Sequence, residues 1–83
     1  MGIAWKVRET IADVRTSEVL VQLRAHESGW EVLIRDRRQV GSEPLAKASG
    51  SSSSHSKAKK SAEETANVLL IGLGKGTLED LEL

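Results

Sequence analysis

The chain has 83 residues, 39% of them hydrophobic and 29% charged, and a chain of this length can bury only one small core, which excludes a second domain. Twelve basic residues balance twelve acidic ones, which excludes attraction to nucleic acid or to an anionic membrane by the overall field and leaves only local clusters. The absence of cysteine excludes disulfides, thiol catalysis and cysteine-ligated zinc.

The first predicted element is an amphipathic helix at residues 4–14. Its apolar residues recur at intervals of three and four and would share one face: Ala4, Val7, Ile11 and Val14. The alternative is a strand in which Ile3, Trp5 and Val7 alternate with polar residues. We predict the helix and keep the strand as the competing interpretation.

A hairpin follows the first element. Apolar residues alternate with mostly polar ones in two segments and define one face: Val19, Val21, Leu23, Trp30, Val32 and Ile34. Residues 26–29 between them end in glycine and have the length of a hairpin loop. Because the opposite face is mostly polar, we expect one packed face and one wet face.

A weaker third strand is predicted at residues 39–47, where Pro44 removes a backbone donor and favours a sheet edge. Residues 48–56 contain six serines and one glycine, so we predict an exposed, flexible loop there. Only Pro44 protects the predicted edge, which leaves homodimerisation through that edge open.

The last large element is a helix from Ser56 to Gly72 or Gly74. Its predicted buried face consists of five apolar residues: Ala58, Ala62, Ala66, Leu69 and Leu70. The alternative makes residues 68–71 a buried strand. A short acidic tail or one further helical turn is expected at residues 77–83.

These elements predict a single α+β domain over residues 1–83, in αβββα order, with a three-stranded antiparallel sheet packed on one or two helices. The expected core contains nine residues: Val19, Val21, Leu23, Trp30, Val32, Ile34, Ala62, Ala66 and Leu69.

The sequence offers no set of residues for catalysis or for a metal. Ser54 and His55 are neighbours without an orienting carboxylate, and His26 lacks metal-ligand spacing to any partner. The glycine-rich segment 71–77 resembles a phosphate loop, but glycine follows Lys75 and only seven residues remain after it, which favours a helix stop. We expect a protein that is not an enzyme and that has no cofactor.

A lysine cluster opens the second predicted helix. Cations at a helix N-terminus oppose the helix dipole, which suggests a use for Lys57, Lys59 and Lys60, and three such cations can straddle a phosphate backbone. The alternative is a solvated face in which Lys59 pairs with Glu63 and Lys60 with Glu64.

The element order and this helix resemble double-stranded-RNA-binding domains. Residues 59–66, Lys-Lys-Ser-Ala-Glu-Glu-Thr-Ala, are similar to the family motif Lys-Lys-x-Ala-Lys-x-x-Ala. Glu63 stands where the family has a third lysine, and the family's contacts from the first helix and first hairpin loop have no convincing counterpart. The resemblance implies the fold more than the RNA-binding activity.

In size, neutral charge, lack of cysteine and lack of a catalytic set, the chain is also similar to small proteins of phages and mobile elements, including some anti-CRISPR proteins. That resemblance implies an inhibitor that docks on a nucleic-acid-handling protein complex. Its contacts would come from the charges of the hairpin and the following turn: Arg24, Glu31, Arg35, Arg37 and Arg38.

The sequence therefore predicts a small non-catalytic protein that binds nucleic acid or a nucleic-acid-processing complex, with the phage-type inhibitor as the alternative. The first residues lack the charged and apolar regions of a signal peptide, and no apolar run approaches the roughly 18 residues of a membrane span. We expect a cytoplasmic protein that does not contact a membrane.

Overall fold

The structure, a computed structural model, describes residues 5–38 and 43–78 of the chain. This described part is an α+β arrangement, as predicted, but with four strands and one helix instead of three strands between two helices. The strands lie side by side in chain order and neighbours are antiparallel. The elements are β1 (Ile11–Arg15), β2 (Val19–His26), β3 (Gly29–Asp36), β4 (Ala46–Ser51) and α1 (His55–Gly72).

The central hairpin of β2 and β3 is confirmed. Its loop has two residues, Glu27 and Ser28, instead of four, because His26 and Gly29 already pair across the strands. The predicted packed face is buried, except that Trp30 is only half-buried. The alternation of apolar and polar residues therefore determined both the strands and their orientation.

The predicted first helix is wrong within the described part of the chain. Residues 11–15 form β1, which pairs with β2, and Val7 lies in a turn, so the alternative strand through that residue is wrong as well. A strand at this position turns Ala12 and Val14 into the core and satisfies the backbone groups on the outer side of β2. Ile3 and Ala4 lie outside the described residues.

The third predicted strand is displaced along the chain. Its beginning, at residues 39–42, lies outside the described part, and β4 starts only after Pro44. β4 continues to Ser51, so that the predicted loop at 48–56 shrinks to a short connection at 52–54. Pairing with β3 explains the difference, because small residues of low β propensity can still complete a ladder offered by a neighbouring strand.

The predicted long helix is confirmed, and the alternative strand at residues 68–71 is wrong. Ser54 caps the helix by accepting a hydrogen bond from the Lys57 amide at 3.2 Å. Gly74 follows the helix with a φ of 75°, and the Lys75 amide donates to the Leu70 carbonyl at 2.9 Å. This is the Schellman ending that the glycines indicated. Within the described residues, no helix is long and apolar enough to cross a bilayer.

The core lies between α1 and one face of the sheet. Seven of the nine predicted core residues are buried, while Trp30 and Leu69 are half-buried and pack against the cluster. Leu78 joins the core from beyond the helix, held by the Asn67 side chain, whose Oδ1 accepts from the Leu78 amide at 2.8 Å. The predicted tail is described only as far as this residue.

Candidate binding surfaces

The helix covers one face of the sheet, and no other described element covers the opposite face, which we call the open face. Two apolar side chains, Leu20 and Leu33, are half-buried at its centre. Six charged side chains surround them and all are exposed: Asp13, Arg15, Arg24, Glu31, Arg35 and Lys47. The wet face expected from the sequence is therefore a mixed surface in which charges ring an apolar centre.

The strand register places the charges of the open face relative to this centre. Leu20 lies directly opposite Arg15 on one side and Arg35 on the other. Leu33 lies opposite Lys47 on β4, and Arg24 lies opposite Glu31. The cations therefore flank both central leucines.

The charges of the open face are not used by the fold. Within residues 5–38 and 43–78, none of the six side chains takes part in an ion pair. Four are cations and two are carboxylates, so this face has a surplus of positive charge although the chain is neutral. Unpaired arginines beside exposed apolar groups are typical of surfaces that bind partners.

A depression of about 560 Å³ lies on the open face between β3 and β4. Leu33 and Pro44 are its apolar lining. Arg35, Lys47 and Glu31 are its charged lining, and Arg35 and Glu31 lie on either side of Leu33 along β3. This lining can bind a carboxylate through Arg35 and Lys47 and a cation through Glu31.

The four predicted partner-binding arginines fall into two groups. Arg24 and Arg35 lie on the open face, whereas Arg37 and Arg38 follow β3 and contact the protein itself. Arg37 Nη1 donates to the Thr16 carbonyl at 2.5 Å. Arg38 Nε lies 3.3 Å from Asp36 Oδ1, and the hydrogen bonds from the Arg38 amide and guanidinium lower the pKa of that carboxyl. The second group therefore stabilises the end of β3.

The predicted lysine cluster is divided by the fold. Lys59 turns towards the N-terminal residues, where its Nζ lies 2.9 Å from Glu9 Oε1 and 5.8 Å from the centre of the Trp5 ring. Lys60 lies on the outer face of α1, 4.0 Å from Glu64, as the solvated-face interpretation predicted. Lys57 is exposed and has no ion pair among the described residues. Lys59 and Lys60 thus each lie beside a carboxylate, and phosphate binding by the three lysines stays a prediction.

Lys59 belongs to a contact that we call the N-terminal clasp, formed by residues 5–10 against α1. Trp5 Nε1 donates to Glu63 Oε2 at 3.2 Å, so the carboxylate that was expected to pair with Lys59 accepts a hydrogen bond from the indole instead. His55 Nε2 donates to the Glu9 carbonyl at 2.7 Å. These contacts hold a turn in which Val7, Arg8 and Glu9 all have positive φ values, from 52° to 59°, a conformation that is strained for non-glycine residues.

The clasp predicts a specific pH dependence. The hydrogen bond and charge of Lys59 lower the pKa of Glu9 below its ordinary value of 4.5, so the ion pair contributes stability above that value and loses it as the pH falls through the lowered pKa. Glu9→Gln should therefore be less stable than the wild type at about pH 7, and this difference should be smaller at about pH 3, because protonation of Glu9 weakens the ion pair. Urea unfolding at both pH values measures the two differences.

The control for this prediction is Glu27→Gln in the hairpin loop. Glu27 is exposed and has no ion pair among the described residues. Its difference from the wild type should change less between the two pH values than the difference for Glu9→Gln does. A difference for Glu9→Gln that is equally large at both pH values would show that the carboxylate acts through shape and not through charge.

Sequence reasoning missed Arg15 and Lys47 as parts of the open face. Arg15 was assigned to no surface because its segment was predicted to be helical. Lys47 stood at the end of a predicted strand whose register was unknown. The signal available for Arg15 was the alternation of Ala12 and Val14 with Asp13 and Arg15, which matches a half-buried strand.

Comparisons of the chain with models of protein families, with curated protein sequences and with solved structures find no match. The resemblances to double-stranded-RNA-binding domains and to small phage proteins therefore stay predictions. Within the described residues, no group of three or more His, Cys, Asp or Glu side chains could hold a metal ion.

Proposed function

We propose that the chain is a non-catalytic binding protein whose open face docks on an acidic protein surface, in a complex that handles nucleic acid. One observation carries the proposal. Arg15, Arg24, Arg35 and Lys47 are exposed and unpaired among the described residues, and they surround half-buried leucines on a face that the fold leaves uncovered. Arginine is enriched at protein interfaces and among the residues that contribute most to their binding energy.

A protein partner is favoured over single-stranded nucleic acid. Binding of single strands relies on aromatic side chains on which bases stack. The chain has only two tryptophans and no phenylalanine or tyrosine. Trp30 lies on the helix side of the sheet and Trp5 lies against α1, so neither provides a stacking surface on the open face.

A protein partner is also favoured over an RNA duplex. Duplex binding depends on several cations spaced along the phosphate backbones. Lys59 is held in the clasp and Lys60 lies near Glu64, which leaves Lys57 as the one exposed lysine of the cluster without an acidic neighbour among the described residues. On the open face, Asp13 and Glu31 would repel phosphate but can pair with cations of a protein partner.

The phage-type inhibitor remains the alternative biological role, and it uses the same surface. An inhibitor that docks through the open face has to meet an acidic region of the complex that matches it in charge and shape. The surplus of cations on the open face supports such docking in the same way as it supports a permanent subunit. The two roles differ in the effect of the protein on the activity of the complex.

The experiment compares the wild type with two charge variants. Arg24→Glu/Arg35→Glu reverses the open face, and Lys57→Ala/Lys60→Ala, the matched control, removes cations of α1. Each tagged protein is used to capture partners from a lysate of the source organism, and each is titrated with an RNA duplex of about 20 base pairs at about 50 mM and about 200 mM salt.

We expect capture of a protein partner by the wild type and by the lysine variant. Capture should weaken at least about tenfold in the arginine variant, because truncation of a central interface arginine alone often costs that much. Duplex binding should be absent at both salt concentrations. Salt-sensitive duplex binding that the lysine variant loses would contradict the proposal and favour the RNA-binding function. If Arg24→Glu/Arg35→Glu still captures the partner as strongly as the wild type does, the interface with the partner lies outside the open face.

A further inference from the structure

β4 is an edge of the sheet, and its outer side faces no strand among the described residues. Its sequence, Ala-Lys-Ala-Ser-Gly-Ser, has only one charged residue, Lys47. Edges of natural sheets are usually protected by several charges, by proline within the strand or by a covering segment. β4 has one lysine, and Pro44 precedes the strand.

The first hydrogen bond beyond β4 shows which residues of this strand direct their backbone groups to β3. The Ser52 amide donates to the Ser28 carbonyl at 3.0 Å, and antiparallel hydrogen-bonded pairs recur at every second residue. Residues 46, 48 and 50 therefore direct their backbone groups to β3. Lys47, Ser49 and Ser51 direct their amides and carbonyls outwards, and their side chains lie on the open face.

The opposite edge of the sheet is better protected. Ile11 at the start of β1 exchanges two backbone hydrogen bonds with Lys6, at 2.7 and 3.1 Å. The remaining outward positions of β1 carry the charged residues Asp13 and Arg15. A strand from another molecule thus meets fewer obstacles at β4 than at β1.

We propose that two copies of the chain pair through antiparallel β4 strands, with Ser49 of each copy opposite Ser49 of the other. This register pairs all three outward-facing residues and forms six backbone hydrogen bonds, two for each pair. It places Lys47 opposite Ser51, so that no like charges face each other, and Ala48 opposite Gly50, so that no bulky side chains collide. The strand is therefore complementary to itself in this register.

The helix side of the sheet adds apolar contact to this pairing. The Trp30 indole lies on Gly50, since a Cβ built on Gly50 would come within 2.6 Å of Trp30 Cζ2. The ring is half-buried in one copy, and Ala48 of the second copy lies next to it in the paired arrangement. The result is a sheet of eight strands, with both helices on one side and two open faces joined on the other.

The two-fold symmetry provides a sharp test at Ser49. Ser49→Lys and Ser49→Glu each place two like-charged side chains opposite each other on Cα atoms about 5.5 Å apart, the spacing of a hydrogen-bonded pair, while the side chain stays exposed in a single copy. We expect the wild type to change from monomer to dimer as its concentration rises to about 1 mM, a range suited to weak interfaces. Ser49→Lys should stay monomeric, since Lys47 of the other copy lies diagonal to it and adds to the repulsion, and an equimolar mixture of the two variants should form a heterodimer.

Analytical ultracentrifugation measures these masses, with one copy at 9.0 kDa. A wild type that stays at this mass throughout overturns the proposal, and so does a Ser49→Lys variant that dimerises as strongly as the wild type. Circular dichroism of each variant checks that the monomer is folded.

Single cysteines test the register independently, because the chain has no native cysteine. Ser49→Cys of one copy should be joined to Ser49→Cys of the other by a short thiol-reactive cross-linker, since about 5.5 Å separates the Cα atoms of a hydrogen-bonded pair. Ser17→Cys, exposed in the turn between β1 and β2, is the matched control. Equal rates of cross-linking for the two variants would contradict pairing through β4.

Discussion

Replacement of Leu70 by alanine is expected to lower the free energy of unfolding by about 2–5 kcal/mol. Leu70 is fully buried and is among the largest side chains in the core between α1 and the sheet. A domain of this size has a total stability of only about 4–12 kcal/mol, so the substitution removes a large part of it. Urea unfolding followed by far-UV circular dichroism measures the loss.

The matched control for Leu70→Ala is Ile71→Ala, one residue further along the same helix. Ile71 is 60% exposed, so its truncation leaves no internal cavity and should change the stability by less than about 0.5 kcal/mol. Losses of similar size in the two variants would mean that α1 packs on the sheet through a different face.

Replacement of Gly50 by alanine is the second change with a large expected effect. The new Cβ would lie 2.6 Å from Trp30 Cζ2 and 2.8 Å from Cε2, closer than real Cβ contacts, so the indole or β4 has to move. An edge glycine covered by a cross-strand aromatic ring is a known way to set strand register. We expect a loss of about 1–3 kcal/mol, the usual cost of overpacking.

Gly72→Ala is the control for the glycine substitution. A Cβ on Gly72 meets nothing within 4 Å, and the residue ends α1, where alanine is a better helix former. This variant should be as stable as the wild type or slightly more stable. Urea unfolding together with tryptophan fluorescence distinguishes the two, because only Gly50→Ala should alter the environment of Trp30. Unchanged stability and fluorescence in Gly50→Ala would contradict the close contact.

The central hairpin and the helix could be predicted from the sequence because each has a long, consistent pattern. Alternation of apolar with mostly polar residues along β2 and β3 favours a strand with one buried face. In α1, three alanines at intervals of four residues present one small, buried face, and all are fully buried: Ala58, Ala62 and Ala66. Gly74 also marked the helix ending locally, because its backbone needs a positive φ.

The two outer strands could not be predicted in the same way. Residues 11–15 are too few to separate a period of two from a period of three or four, and their apolar positions fit both. Residues 48–51 are small and polar, so their local preference is for a loop. In both cases pairing with the neighbouring strand determines the strand conformation, because the outward backbone groups of β2 and β3 need hydrogen-bond partners that another strand provides.

By itself, the sequence determined the α+β class, the central hairpin, the long helix and most of the core. It also singled out Arg24 and Arg35 as exposed charges, which is where they lie. Only the tertiary structure decided that Lys59 turns into the clasp and that Arg15 and Lys47 join the open face, because both results depend on contacts between segments distant in the chain. Local sequence patterns determine which face of a helix or strand is buried, whereas the pairing of the strands determines which residues become neighbours across the sheet.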